Sequence, residues 1–195
     1  GDQEPPRDVL SELVQMRYVR TDLLSRLGRK DEAIEEALEV LAVAESFPEA
    51  WFLLGNLLIG RGDEADGRQA LERFRQLSDA REQRQLGDHY LHAVGELERA
   101  EAAYRSALDS WPEDQESWLG LGITLRRLGD SAAAVEALDK VSATVVGPVA
   151  LHRERFLALW ADGRRADAME VWNASRELGL SLGADVWRLV RGRRP

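Results

Sequence analysis

The sequence predicts an all-α fold, a solenoid of about five helix-turn-helix repeats that ends in a C-terminal capping helix. Glycine recurs with spacings of 34, 33, 34 and 34 residues, at Gly28, Gly62, Gly95, Gly129 and Gly163. A leucine lies four residues before each of these glycines, and a small residue lies five residues after it. Three series that share one period of this length are typical of helical repeat proteins.

Each repeat is predicted to be a pair of helices joined at its glycine, because glycine readily adopts the left-handed conformation that ends a helix. The small residue that follows lets the two helices approach closely. A larger side chain four residues further on is expected to fill the space between them in most repeats. These side chains are Leu71, Tyr104, Leu138 and Trp172.

The predicted elements follow one another along the chain. Residues 1–8 are expected to form a flexible tail, and a repeat domain covers residues 9–182. Its units lie at about 14–47, 48–80, 81–114, 115–148 and 149–182. A capping helix and a basic tail occupy residues 183–195, since a solenoid needs a cover for its exposed end.

The fourth unit resembles the tetratricopeptide repeat (TPR) family most closely. It carries the family pattern at Trp118, Leu121, Gly122, Leu125, Gly129, Ala134 and Leu138. The second unit repeats the first part of that pattern, whereas the other three depart from its Trp and Leu-Gly positions. The resemblance implies a right-handed superhelix in which the first helix of each repeat lines a concave groove that binds peptides.

The predicted groove is the face of each first helix that lies opposite its packed side. Its members are Phe52, Asn56, Ile59, Gln85, His89, His92, Leu119, Ile123, Arg126, Arg153, Leu157 and Trp160. Exposed apolar patches usually mark contact sites, so an extended peptide or an amphipathic helix with apolar anchors is the expected ligand. Arg126 and Arg153 would bind its acidic groups. In the alternative, neighbouring helices or the C-terminal helix bury this face.

Some members of the family hold a C-terminal carboxylate with Lys, Asn and Arg side chains of these first helices. This chain has Asn56 at a matching position, but Phe52 stands where a lysine is expected. The resemblance therefore does not extend to carboxylate binding.

Composition and motifs argue against several other classes of function. A net charge of -9 argues against nucleic acid as a partner, and no apolar run is long enough to insert into a membrane. The chain has no cysteine, and neither a phosphate-binding glycine loop nor a nucleophile elbow occurs. His89 and His92 alone are a weak metal signal. We therefore predict no enzymatic activity, no metal and no cofactor.

The sequence thus predicts a non-catalytic scaffold or adaptor that binds another protein or peptide. Two alternatives stay open: a self-assembling structural protein, and a regulatory segment of a larger enzyme or secretion-machinery protein. Arginine supplies 24 of the 26 basic residues, which is typical of a GC-rich bacterial genome. The absence of cysteine leaves the compartment undecided; the cytoplasm is favoured, and the periplasm would require a removed export signal.

Overall fold

The structure is a computed structural model that describes residues 7–143 and 147–192. These residues form helices and connecting turns without any strand, which confirms the all-α prediction. Most of the predicted N-terminal tail, residues 1–6, lies outside the described residues, as do residues 193–195 of the predicted basic tail. Arg7 and Asp8, the last two residues of the predicted N-terminal tail, already belong to the first helix.

The described residues contain ten α-helices and one π-helix. In chain order they are α1 (Arg7–Arg26), α2 (Lys30–Val43), α3 (Pro48–Arg61), α4 (Glu64–Asp88), the π-helix (His89–Val94), α5 (Leu97–Ser110), α6 (Gln115–Leu128), α7 (Ser131–Asp139), α8 (Pro148–Ala161), α9 (Arg165–Glu177) and α10 (Ala184–Arg191). The first helices of the five repeats are therefore α1, α3, the end of α4 with the π-helix, α6 and α8.

The five periodic glycines end the first helix of each repeat as predicted. All have positive φ angles: 75° at Gly28, 110° at Gly62, 79° at Gly95, 94° at Gly129 and 82° at Gly163. At the end of α3, the Gly62 N–H donates to the Leu58 carbonyl at 3.1 Å. Because a side chain is strained in this conformation, glycine is the residue that suits each of these helix ends.

The two helices of a repeat meet where the sequence carries a Leu-Gly pair. A Cβ atom added to Gly55 of α3 would lie 2.7 Å from the Leu71 Cγ of α4. A Cβ added to Gly122 of α6 would lie 2.6 Å from the Leu138 Cγ of α7. Leu71 and Leu138 therefore fill the predicted space between paired helices, and glycine provides the room they need.

Tyr104 occupies the corresponding position in the third repeat, where it is fully buried. Its ring lies between Gly87 and Gly120, and its hydroxyl donates a 2.7 Å hydrogen bond to Asp88 Oδ1. Burial of the phenol, the bond to Asp88 and the charge of that carboxylate together raise the pKa of Tyr104. This tyrosine is thus both a packing element and a hydrogen-bond donor inside the fold.

The connection between the second and third repeats contains no turn. Pro48 and Pro148 begin α3 and α8, and Pro112 lies in the turn before α6. Residues 77–83 contain neither glycine nor proline, so nothing interrupts helical hydrogen bonding and α4 continues through them. The chain divides into two compact units within this helix, the first ending at Asp79 and the second beginning at Ala80.

Each unit has its own apolar core. In the first unit, buried side chains of α1, α2 and α3 form one cluster that includes Val14, Ala37, Val40 and Leu57. In the second unit, a larger cluster runs from Leu91 to Val186. Val186 of α10 is fully buried, so the C-terminal helix covers part of the second core as a cap.

Candidate partner-binding surface

In the first unit, the predicted groove residues form an exposed face of α3. Phe52 and Ile59 are 48% and 39% exposed, and Asn56 between them is exposed as well. The opposite side of α3 buries Leu54 and Leu58 in the core. We call the residues Phe52, Asn56 and Ile59 the α3 face.

The α3 face combines apolar and polar groups. The Phe52 ring centroid lies 5.1 Å from that of Phe74 on α4, at a tilt of 53°, so two aromatic rings are adjacent at this surface. The Asn56 side-chain amide donates to the Phe52 carbonyl at 2.9 Å. Its carbonyl oxygen is a further polar atom that can accept a hydrogen bond from a bound chain.

In the second unit, Gln85, His89 and His92 are all exposed. Gln85 lies on α4, whereas both histidines lie on the π-helix, whose buried residue is Leu91. The wider turn of a π-helix moves residues three apart away from a common face. Among the described residues, no group of three or more His, Cys, Asp or Glu side chains is arranged to hold a metal ion.

The predicted apolar groove residues of the second unit are only partly exposed. Leu119 and Ile123 of α6, with Leu157 and Trp160 of α8, are half-buried and pack against the second core. The Trp160 ring stacks on Phe156 with a centroid distance of 5.4 Å, and the Arg165 guanidinium lies 4.3 Å from the Trp160 centroid. Each of these side chains therefore packs partly against the core and is partly exposed.

The two predicted groove arginines, Arg126 and Arg153, form ion pairs within the chain. Arg126 of α6 donates to Glu154 Oε2 of α8 from Nε at 3.1 Å and from Nη2 at 2.8 Å. Arg153 donates to the other oxygen of Glu154 and, at 2.6 Å, to Asp185 of α10. Two positive and two negative charges are thus paired across three helices, and an acidic ligand would compete with Glu154 and Asp185 for these arginines.

The Asp185 carboxylate is stabilised in its charged form. Partial desolvation works against ionisation, but a backbone hydrogen bond from Val186 and the Arg153 guanidinium outweigh it and lower the pKa of Asp185. The carboxylate is therefore ionised at neutral pH and holds the start of α10 against α8.

A second apolar surface was not part of the predicted groove. Met16, Val19, Leu23 and Leu27 of α1 are 64%, 53%, 54% and 71% exposed. Successive members are three, four and four residues apart, so they lie along one side of the helix. This spacing was readable in the sequence, and we call these four residues the α1 stripe.

The repeated helix pairs, their glycine turns and their Leu-Gly contacts define a helical-repeat protein. The profile of the tetratricopeptide repeat family matches residues 18–83 and 84–143, about two thirds of the chain. The chain belongs to the tetratricopeptide repeat family. Members of this family generally mediate protein–protein interaction.

Several solved structures are similar to this chain. MamA is 22% identical with a TM-score of 0.46, over 80% of this chain and 92% of that one. MamA AMB-1 is 18% identical with a TM-score of 0.47, over 84% and 97%. YrrB, described as a TPR protein with an unusual peptide-binding site, is 14% identical with a TM-score of 0.45, over 84% and 89%. No curated protein sequence matches the chain at a significant level.

No described helix combines the length of a membrane span with a sufficiently apolar composition.

Proposed function

We propose that this chain is a non-catalytic adaptor that holds a peptide or a helix of another protein on its first-helix faces. The observation that carries this proposal is the exposure of Phe52 and Ile59 on a helix whose other side is packed in a core. Exposed apolar side chains grouped on one face cost solubility, and such patches commonly mark contact sites. Family membership supports the same class of function.

The α3 face has apolar side chains that can give affinity for a bound chain and a polar side chain that can orient it. An apolar anchor of the ligand can pack on Ile59 and on the paired rings of Phe52 and Phe74. Asn56 lies one helical turn from Phe52 and can bond the ligand backbone. The proposed ligand is therefore an extended peptide or an amphipathic helix with apolar anchors.

The second unit is proposed to contribute a separate contact surface of half-buried apolar groups. Its members are Leu119, Ile123, Leu157 and Trp160, with Gln85, His89 and His92 as polar groups. Because Glu154 and Asp185 already neutralise Arg126 and Arg153, we expect acidic groups of the partner to contribute less than its apolar anchors.

The test begins with a random peptide library selected on the purified wild-type chain. Selected peptides are then titrated by fluorescence anisotropy against wild type and the double variant Phe52→Ser, Ile59→Ser. We expect enriched apolar anchors in the peptides and a dissociation constant raised at least about tenfold in the variant. Circular dichroism should stay helical, because both positions are exposed.

The matched control is the double variant Leu38→Ser, Val43→Ser, which removes two exposed apolar side chains from α2 (52% and 45% exposed). It should bind the peptides as wild type does. If the library enriches no peptide, or if the α3 and α2 variants weaken binding equally, the assignment of the α3 face is wrong.

A further inference from the structure

A cavity of about 490 Å³ lies in the second unit, between α9, α10 and the segment that joins them. Its lining includes Trp172 and Arg176 of α9 and Trp187 of α10. Clefts that bind small molecules have volumes of about 300 to 1,000 Å³ and are lined mainly by apolar and aromatic groups. None of the lining residues belongs to the predicted groove or to the α3 face, so the cavity is a separate candidate site.

The segment between α9 and α10 is fixed at both of its ends. Gly179 follows α9 with a φ of 70°, and the Leu180 N–H donates to the Ser175 carbonyl at 2.8 Å. Leu182 is 1% exposed and belongs to the second core, which anchors the segment just before α10. Because the chain is held on both sides of Ser181, the cavity is a built feature of the fold.

Two indole rings form the aromatic part of the cavity wall. Trp172 packs partly against the second core, with its ring centroid 6.4 Å from that of Phe156. Trp187 is 43% exposed, and the Arg191 guanidinium carbon lies 3.8 Å from the centroid of its ring. A cation over the ring holds the indole in place. Flat indole surfaces favour a flat aromatic ligand, since stacking adds to the burial of apolar area.

Arg176 gives the cavity wall a positive charge. It lies four residues after Trp172, one turn along the same side of α9. Arg164, at the start of α9, pairs with Asp167 at 2.6 Å. Asp185, which follows the cavity residue Ala184, pairs with Arg153, also at 2.6 Å. Among the residues that the structure describes, no such carboxylate partner engages the Arg176 guanidinium, so its charge is available to a ligand.

We propose that this cavity binds a small aromatic carboxylate, with the ring against Trp172 and Trp187 and the carboxylate on Arg176. The guanidinium fork matches the two oxygens of a carboxylate. Ser181 also lines the cavity, and its hydroxyl can donate a further hydrogen bond. One guanidinium matches a singly charged carboxylate better than a doubly charged phosphate ester. The inference does not depend on the proposed function.

Three fluorinated probes separate the contribution of the ring from that of the charge. Para-fluorophenylacetate carries both, para-fluorophenylacetamide carries the ring alone, and trifluoroacetate carries the charge alone. Each is titrated with the purified wild-type chain and followed by fluorine NMR. We expect a dissociation constant on the order of 1 mM for para-fluorophenylacetate. The amide should bind about fivefold more weakly, and trifluoroacetate should not saturate up to about 20 mM.

The six tryptophans of the chain locate the site of binding. Their indole N–H signals are assigned in a proton–nitrogen correlation spectrum by single Trp→Phe substitutions. The signals of Trp172 and Trp187 should shift along the binding curve of para-fluorophenylacetate. The signals of the other tryptophans should stay in place, because these residues do not line the cavity.

Two variants test the roles of the charge and the ring. Arg176→Gln should raise the dissociation constant of para-fluorophenylacetate about fivefold and remove its advantage over the amide. Trp187→Ala should weaken both ring-bearing probes at least about fivefold. The matched control is Arg105→Gln on α5, which removes another exposed arginine and should bind as wild type does. Circular dichroism should be unchanged in all three variants, because each replaced side chain is exposed.

Four outcomes would overturn the inference. The first is no saturable binding of para-fluorophenylacetate up to about 20 mM. The second is binding that leaves the signals of Trp172 and Trp187 in place. The third is equal affinity for the acid and the amide, or an equal loss in Arg176→Gln and Arg105→Gln. The fourth is tighter binding by a chain that lacks residues 193–195, since the chain itself would then compete for the cavity.

Discussion

Arg126 of α6 and Glu154 of α8 are joined by two hydrogen bonds, from guanidinium Nε and Nη2 to a single carboxylate oxygen. The Glu154 side chain is only 8% exposed, and its second oxygen accepts from Arg153. A buried carboxylate with two cationic partners holds the first helices of two successive repeats together. Glu154 also pairs with Arg126 and Arg153, the two arginines that were predicted from the sequence to bind acidic groups of a ligand.

Glu154→Gln is expected to lower the free energy of unfolding by about 1 to 3 kcal/mol, because two guanidinium groups lose their buried anion. Urea denaturation followed by circular dichroism measures the change. Glu136→Gln on α7 removes an exposed carboxylate from the same unit and should cost less than about 0.5 kcal/mol. Equal effects of the two variants would contradict a structural role for Glu154.

Tyr104→Phe is expected to cost about 1 kcal/mol at neutral pH, because the hydrogen bond to Asp88 is lost. The raised pKa of Tyr104 keeps the phenol protonated in the native state at a pH where an unfolded tyrosine ionises, near 10. The protonated Tyr104 phenol therefore contributes to stability below pH 10, and this contribution is lost as the pH rises above that value.

This prediction is checked by titration of absorbance at 295 nm. Native wild type and native Tyr104→Phe should show the same phenolate signal up to about pH 11, whereas in urea the variant should lack one titrating phenol. A native wild-type signal that exceeds that of the variant in this range would show that Tyr104 ionises in the fold.

Gly120→Ala tests the space beside Tyr104. A Cβ at residue 120 would lie 2.4 Å from two ring carbons, so the ring or the helix must shift, at a cost of about 1 to 3 kcal/mol. The control is Gly60→Ala, where the nearest atom is Lys30 Nζ at 3.4 Å. That helical position should gain up to about 1 kcal/mol, because alanine is the better helix former. Thermal unfolding of both variants separates the two effects, and the same sign for both would be inconsistent with them.

Arg81→Pro tests the continuity of α4. A proline inside a helix removes a hydrogen bond and clashes with the preceding turn, so we expect a loss of about 3 kcal/mol and of helical ellipticity. Arg81→Ala removes the same side chain without changing the backbone and serves as the matched control. If Arg81→Pro proved as stable as Arg81→Ala, the chain would turn at this point, as it does before Pro48.

Periodic features of the fold were predictable because each depends on residues close together in sequence. The left-handed conformation of Gly62 and its counterparts follows from a local preference at helix ends. The close approach of Leu71 to Gly55 and of Leu138 to Gly122 follows from one helix pair folding on itself. The missing turn in α4 was also readable from residues 77–83, but the regular period suggested a boundary there.

The sequence by itself determined the all-α repeat architecture and the membership of the family, since local periodicity decides where helices begin and end and which sides pack. Only the tertiary structure decided which charged groups pair with one another and which apolar side chains are exposed. Arg126 pairs with Glu154, 28 residues away, and Arg153 pairs with Asp185, 32 residues away, as well as with the adjacent Glu154. A carboxylate at the longer separations is one among many until the helices are placed. The exposure of Leu23 is likewise a tertiary property. Leu57, one repeat period later, is also a leucine, but it is buried whereas Leu23 is exposed.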